Sequence, residues 1–455
     1  MRSSAFFWVK NSKQLKTTIS FCNYWKFKNA TDVSVVLNLR KVDGELVGRK
    51  LVDFSDKTVC NFSPPDDFEG SVEVEAFSAK NMRIPYAAVM GIYESPNSVA
   101  MVHSYARAYS QHEIEDKRTL SVGEESCWTL RESADVSSFA VFHNGCMGQD
   151  AQTATLAVRN GGGAEMRVDI ALPALQAFET RIIEPRAHFD NLIEWLDGMP
   201  GNARLSFRLN GGFTRMLCGV RKLDDSELQV THSNFDYSAH DTDKITEGVL
   251  RAYMRTPHVH GSFKQEIVVY PDTSKGEYVS RNQQEERSFS TGDIHKLKFT
   301  SGEGQLVAFS RKDNILPTRI VTALRLNADK GSIPAECSLG VVHHHRPKKH
   351  FSWMVVAEQF GSTLSWVDFE EVYGGCPADA EFVFKLYSEN TTEVRTTSLQ
   401  RSQLPANAMI GVQALFADIA DAGRYCYVSV WCSYGGLMFF STMQKKDAIS
   451  IEHSF

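Results

Sequence analysis

Histidine is the residue type through which this chain could most readily do chemistry; it occurs 14 times, several in patterned places. His258-Val259-His260 would project two imidazoles to one side of an extended segment, because residues i and i+2 share a face. The polar run 232–241, which opens on His232 and contains Asp236 and His240, lies just before it. Imidazole nitrogens and carboxylate oxygens in such a mixture suit zinc or iron. His258, His260, His232 and Asp236 are therefore the candidate metal ligands of a metal-dependent hydrolase or oxygenase. The denser cluster His343-His344-His345 with His350 is a poorer set, since consecutive strand residues face opposite ways.

A second pattern is repetitive. Four strand-like segments run into a histidine: Val99 to His103, Leu228 to His232, Leu339 to His343 and Ile449 to His453. In each, the histidine shares a face with the apolar residues two and four positions earlier, such as Met101 and Val99. The expected role is a half-buried imidazole at the end of a core strand. Four separate cores would hold the rings too far apart for one ion.

Other chemistries find less support. Ser104, Ser233 and Ser454 each follow a histidine, but adjacent strand residues point apart, which works against a Ser–His pair. Neither a G-x-S-x-G elbow nor a G-x-x-x-x-G-K-[ST] phosphate loop occurs. Cys218 and Cys337 sit in strand-like surroundings that favour packing over nucleophilic attack. Asp224-Asp225 and Glu370-Glu371 fall in polar stretches. Aromatic residues beside the turns, namely Tyr105, Tyr109, Phe235, Tyr237 and Tyr434, are the candidate ligand-binding set, able to stack on sugar rings or anchor a protein partner.

The elements that would carry these residues are strands. Period-two alternation recurs, as in Leu205, Phe207 and Leu209 against Arg204, Ser206 and Arg208. Gly-containing turns such as Asp43-Gly44 and Asn160-Gly161-Gly162-Gly163 suit hairpins. Helical spacing is scarce; Phe189 to Leu196, stopped by Asp197-Gly198-Met199-Pro200, predicts one short helix. Two pairs of segments also match each other: Phe77-Ser78 before Ile84-Pro85 resembles Phe309-Ser310 before Leu316-Pro317. Likewise 205–213 and 429–437 share a strand, a Gly-Gly step and another strand, and read as equivalent hairpins.

With the histidine-ended strands spaced by roughly one sandwich module, these matches predict an all-β chain of tandem β-sandwich-like modules with very little helix. The modules expected are 1–115, 116–246 with a short connecting helix, 247–366, and a smaller one at 367–455.

Composition bounds the function. Hydrophobic residues at 42% and charged residues at 23% are ordinary for a globular chain, and 455 residues exceed one hydrophobic core. The net charge of -6, from 49 basic and 55 acidic residues without long blocks, disfavours nucleic acid as a partner. Nine dispersed cysteines with no C-x-x-C pair fit reduced thiols. The apolar stretch near Phe6-Phe7-Trp8 is far shorter than a secretory core, so a cytoplasmic location and no membrane insertion are expected. The preferred expectation is a non-enzymatic binding or scaffolding protein with a protein or glycan partner, no cofactor, and possible homo-oligomerisation. The alternatives are the zinc or iron enzyme above and a carbohydrate-recognition protein linked to surface-glycan metabolism.

Overall fold

The computed structural model describes residues 2–454 except 30, 81–88, 104–105, 116–119, 236–248, 260–262, 272, 291, 293, 300–303, 318, 329–330 and 343–348. The chain divides into two compact units, Met1–Phe235 and Asp236–Phe455. Both are built almost wholly from antiparallel strands.

The strands of the first module are Arg2–Asn11, Lys16–Cys22, Ser34–Lys41, Leu46–Val52, Val59–Phe62, Phe68–Phe77, Met90–Glu94 and Val99–His103. Counted one to eight, they form one sheet in the order 1-6-3-4 and another in the order 5-2-7-8. The second module repeats this order with Leu120–Leu130, Val136–His143, Gln152–Arg159, Glu165–Leu172, Thr180–Ile183, Gly201–Asn210, Leu217–Lys222 and Leu228–His232. It adds Asn234–Phe235 beside its first strand, and its Gly212–Phe213 pairs with Arg107–Ala108. In the second unit the order recurs twice, from Ala252–Arg255 to Ala335–Leu339 and from His350–Val356 to Ala448–His453. Four modules thus share one eight-strand topology.

The local sequence explains the elements. Leu205, Phe207 and Leu209 are buried and Arg208 is exposed, as alternation requires. Asp43-Gly44 and the 160–163 run join strands three and four in the first and second modules, and Asn160 Oδ1 accepts from the Gly162 and Ala164 amides. The predicted helix forms over Leu192–Leu196 and stops where Asp197 takes a left-handed φ of 49°.

Three expectations are corrected. The Gly-Gly steps at 211–212 and 435–436 do not turn hairpins. They link strands six and seven, which lie in different sheets, so the step carries the chain across the sandwich. The 339–343 segment is not a strand closing on histidine: strand eight of the third module ends at Leu339, and only Val342 bridges, to Tyr253. His343 lies outside the described residues. Finally, strands His350–Val356 and Thr363–Asp368 pair with Cys426–Cys432 and Leu437–Lys445. The last module therefore starts upstream of the division expected near 366, because that division was spaced from the 339–343 segment, whose strand ends at Leu339.

Within each unit the two modules meet along their eighth strands. In the first unit, Ser98 Oγ donates to Leu228 O at 2.8 Å and accepts from the Leu228 amide at 2.9 Å. At the far end the His103 and His232 rings touch, so the strands run side by side in the same direction. Trp8, Tyr93, Ala100 and Val102 of one module pack with Phe139, Val141, Leu228 and Val230 of the other. Each of the larger of these buried side chains contributes about 1.5–3 kcal/mol, an upper estimate, which holds the modules as one unit. In the second unit Ser332 donates to Asp447 O, and Cys337 lies against Glu452.

The first sheet of the first module departs from simple alternation. Glu73 and Glu75 are buried on its polar face, with Ser4, Asn38, Arg2 and Arg40 around them. Arg2 Nη1 donates to Ala108 O at 2.8 Å, in the segment linking the two modules, and from the second module Phe178 lies over this face, with the Arg40 guanidinium 3.8 Å from its ring centre. The edge strand Leu46–Val52 is different, leaving Leu46, Val47 and Leu51 exposed.

Candidate functional site

Two places concentrate chemically capable side chains, one in each unit. In the second unit, a cleft of ≈ 430 Å³ opens between the third and fourth modules. Arg255 ends the third module's first strand and Thr256 and His258 follow it; Thr256 is pinned by backbone and hydroxyl bonds to Gln305. From the fourth module come Trp366 and Asp368 on strand two, Glu370 at the start of a short helix, Arg401, and the loop 406–408.

Most of this lining is held in place. Asp368 accepts the Cys376 amide at 2.6 Å on Oδ2 and the Tyr434 hydroxyl at 3.1 Å on Oδ1. The Arg401 guanidinium sits 5.7 Å from the centre of the Trp366 ring, and Arg255 Nη2 pairs with Glu371 at 2.8 Å. Two guanidinium groups and two carboxylates thus face one space, with Thr256 and Asn407 beside them. Such a lining can both donate to and accept from a ligand rich in hydroxyl groups.

In the first unit, a small internal void of ≈ 10 Å³ is lined by His103, His143, His232, Arg215 and the apolar residues Phe6, Phe7, Trp8 and Val102. His103 and His232 come from the two side-by-side eighth strands, and their ring centroids are 4.7 Å apart, edge to face. His232 Nδ1 lies 2.7 Å from the Ser233 carbonyl, so Nδ1 carries the proton and Nε2 the lone pair. His453 makes the same bond to Ser454 O at 3.0 Å in the second unit. His143 bonds Thr180 Oγ1 at 2.9 Å and stacks on Phe6; burial drives its pKa down to about 3 and keeps it neutral.

The sequence candidates fall as follows. His258 lines the second-unit cleft, and Tyr434 is buried beneath it, holding Asp368. Tyr109 is half-buried beside Arg107, whose guanidinium is 5.1 Å from its ring centre. His232 belongs to the first unit and His258 to the second. His260, Asp236, Tyr105 and Tyr237 lie outside the described residues, as does the side chain of Phe235.

Sequence reasoning placed His103 and His232 in separate cores. The structure brings them together because Leu228 and Val230, on the same face as His232, pack into the seam between modules. The recurrence of the histidine-ended strand was the available signal; that the eighth strands are partners was not. Arg255, Asp368, Glu370 and Arg401 were missed at the cleft, since they come from segments up to about 146 residues apart with no shared motif. Among the described residues no helix is long and apolar enough to cross a membrane. No protein-family model matches the chain, and no curated protein shows significant similarity to it.

Proposed function

We propose that the chain is a non-enzymatic binding protein that takes a neutral, hydroxyl-rich ligand of the glycan class in the cleft between its third and fourth modules. The carrying observation is the matched polarity of that lining: Arg255 and Arg401 against Asp368 and Glu370, around ≈ 430 Å³. Sugar hydroxyls donate and accept at once, so they satisfy both signs without leaving a buried charge unpaired. The Trp366 ring under Arg401 and the Tyr434–Asp368 bond keep the polar groups in position before the ligand arrives, which lowers the entropic cost of binding.

A glycan array followed by calorimetry on the best hit tests this reading. Arg401→Ala is expected to weaken binding by about ten-fold or more, the loss of one charge-assisted hydrogen bond. An array with no hit, or a hit whose affinity is the same in Arg401→Ala and Asp368→Asn, would remove the cleft as the recognition site.

Self-association is favoured by a separate observation, the exposed Leu46, Val47 and Leu51 on an edge strand. Such an edge offers unpaired backbone groups and apolar side chains to a second copy. Light scattering is expected to give a dimer mass that Leu51→Lys converts to the monomer. A monomer at every concentration would dismiss this second reading.

A further inference from the structure

We propose that Cys376 and Cys432 of the fourth module are a redox-active dithiol that hydrogen peroxide converts to a disulfide, a modification site that does not depend on the glycan reading. Cys432 ends strand six, where it lies between His350 of strand one and Phe382 of strand three and is fully buried. Cys376 is half-buried. It follows Gly374 and Gly375, whose φ values of 85° and 79° turn the chain after the short helix Glu370–Tyr373.

A closed circuit of contacts sets the two sulfurs against each other. The Cys376 amide donates to Asp368 Oδ2 at 2.6 Å, and the Tyr434 hydroxyl donates to Asp368 Oδ1 at 3.1 Å. The Tyr434 amide in turn donates to Cys432 Sγ at 3.4 Å. The circuit closes where the Cys376 thiol hydrogen-bonds to the Cys432 sulfur, and both side chains pack into the same core cluster. Strand six anchors one backbone and Asp368 the other, with the sulfurs already in the approach from which a disulfide forms.

The shared proton stays on Cys376. The Cys432 thiol is held below its usual pKa, first by the hydrogen bond from Cys376 and then by the Tyr434 amide, against burial. Peroxide meets the half-buried Cys376 first. As that sulfur passes its proton to the Cys432 thiolate and attacks one peroxide oxygen, an S–O bond forms and the O–O bond breaks. The departing hydroxide takes the proton from Cys432 and leaves as water. The Cys432 thiolate then attacks the Cys376 sulfur: the S–S bond forms, the S–O bond breaks, and a second hydroxide leaves and is protonated by solvent. The two sulfurs lose two electrons and the peroxide gains them.

Full-length protein is reduced, freed of reductant, treated with an equimolar amount of hydrogen peroxide, then unfolded and alkylated. Mass spectrometry is expected to show the loss of two alkylatable thiols and a peptide linking Cys376 to Cys432 that dithiothreitol removes. The same treatment in urea should scatter the links among the cysteines, so the Cys376–Cys432 fraction should be about ten-fold or more greater in the folded protein. Cys376→Ser should keep both of the thiols that wild type loses, Cys376 itself excepted. The wild-type comparison stands even where that variant is unstable. No linked peptide from the folded protein, a fraction no greater than in urea, or a link that joins either cysteine mainly to a different partner each overturns the proposal.

Discussion

Replacing Arg325 by methionine lowers the stability of the second unit by about 3–5 kcal/mol, the usual penalty for breaking a buried ion pair from one side. Arg325 is on strand seven of the third module, and its direct neighbours across the sheet are Glu266 on strand two and Glu336 on strand eight. Nη1 reaches Glu266 at 2.7 Å and Nη2 reaches Glu336 at 3.0 Å, with only 2% of the arginine side chain exposed. Burial works against the charge, but Glu336, Tyr270 and Glu266 outweigh it and hold the guanidinium firmly protonated. Without the arginine, two carboxylates stay buried and unneutralised, while Tyr270 still donates to Glu336.

Thermal unfolding should show the transition of the second unit falling by on the order of 10 °C. The triple change Arg325→Met, Glu266→Gln, Glu336→Gln should regain most of the loss, because no charge is then stranded. A single variant within about 1 kcal/mol of wild type would mean that the triad is worth little.

Between pH 6.5 and pH 4.5 the wild type loses about 2–3 kcal/mol more than a His143→Gln protein in the first unit. The sign follows from the depressed folded value. In the unfolded chain the imidazole takes a proton near pH 6.5, whereas in the fold burial holds its pKa at about 3. Stability from this group is full above pH 6.5 and falls as pH drops toward 3.

Glu132 acts in the opposite sense. Burial raises its pKa to about 7, against the Ser138 amide and Arg186, so its contribution is present at low pH and is lost as pH rises from 4.5 to 7. The two groups mask each other, and the first unit's raw pH curve is expected to be nearly level over this range. Urea titrations at both pH values on wild type, His143→Gln and Glu132→Gln separate them: the Glu132 variant should lose stability on acidification more steeply than wild type. Parallel curves for wild type and His143→Gln would contradict a neutral buried imidazole.

The strand content and the repetition were legible because they are written in local patterns. Alternation at 205–209 and the Gly turns at 43–44 and 160–163 report nearest neighbours, and the repeated segments marked the same connection, strand six to strand seven, in several modules. What a period of two cannot report is whether the second face is also covered. Glu73 and Glu75 alternate with Val72, Val74 and Ala76 as a solvent-facing row does, yet both are buried, and Phe178 of the second module covers the neighbouring Arg40.

The same limit governed the sites. His103 and His232 are 129 residues apart in a chain whose local rules speak over about ten, so their contact depends on a module-to-module seam with no local signature. At the cleft, Tyr434 was picked out as an aromatic beside a turn. Its hydroxyl proves to matter more than its ring, through Asp368.

The seam of eighth strands also bears on how the chain is made. In the first unit the strand that completes the seam, Leu228–His232, is the last long one before the division after Phe235. Every partner it needs has been synthesised by then. The second unit, Asp236–Phe455, is still to be translated, and at roughly 5–20 residues per second that takes about ten seconds or more. The first unit can close its two sandwiches and bury both histidines on the ribosome, before the strands of identical order in the second unit exist to compete for its edges.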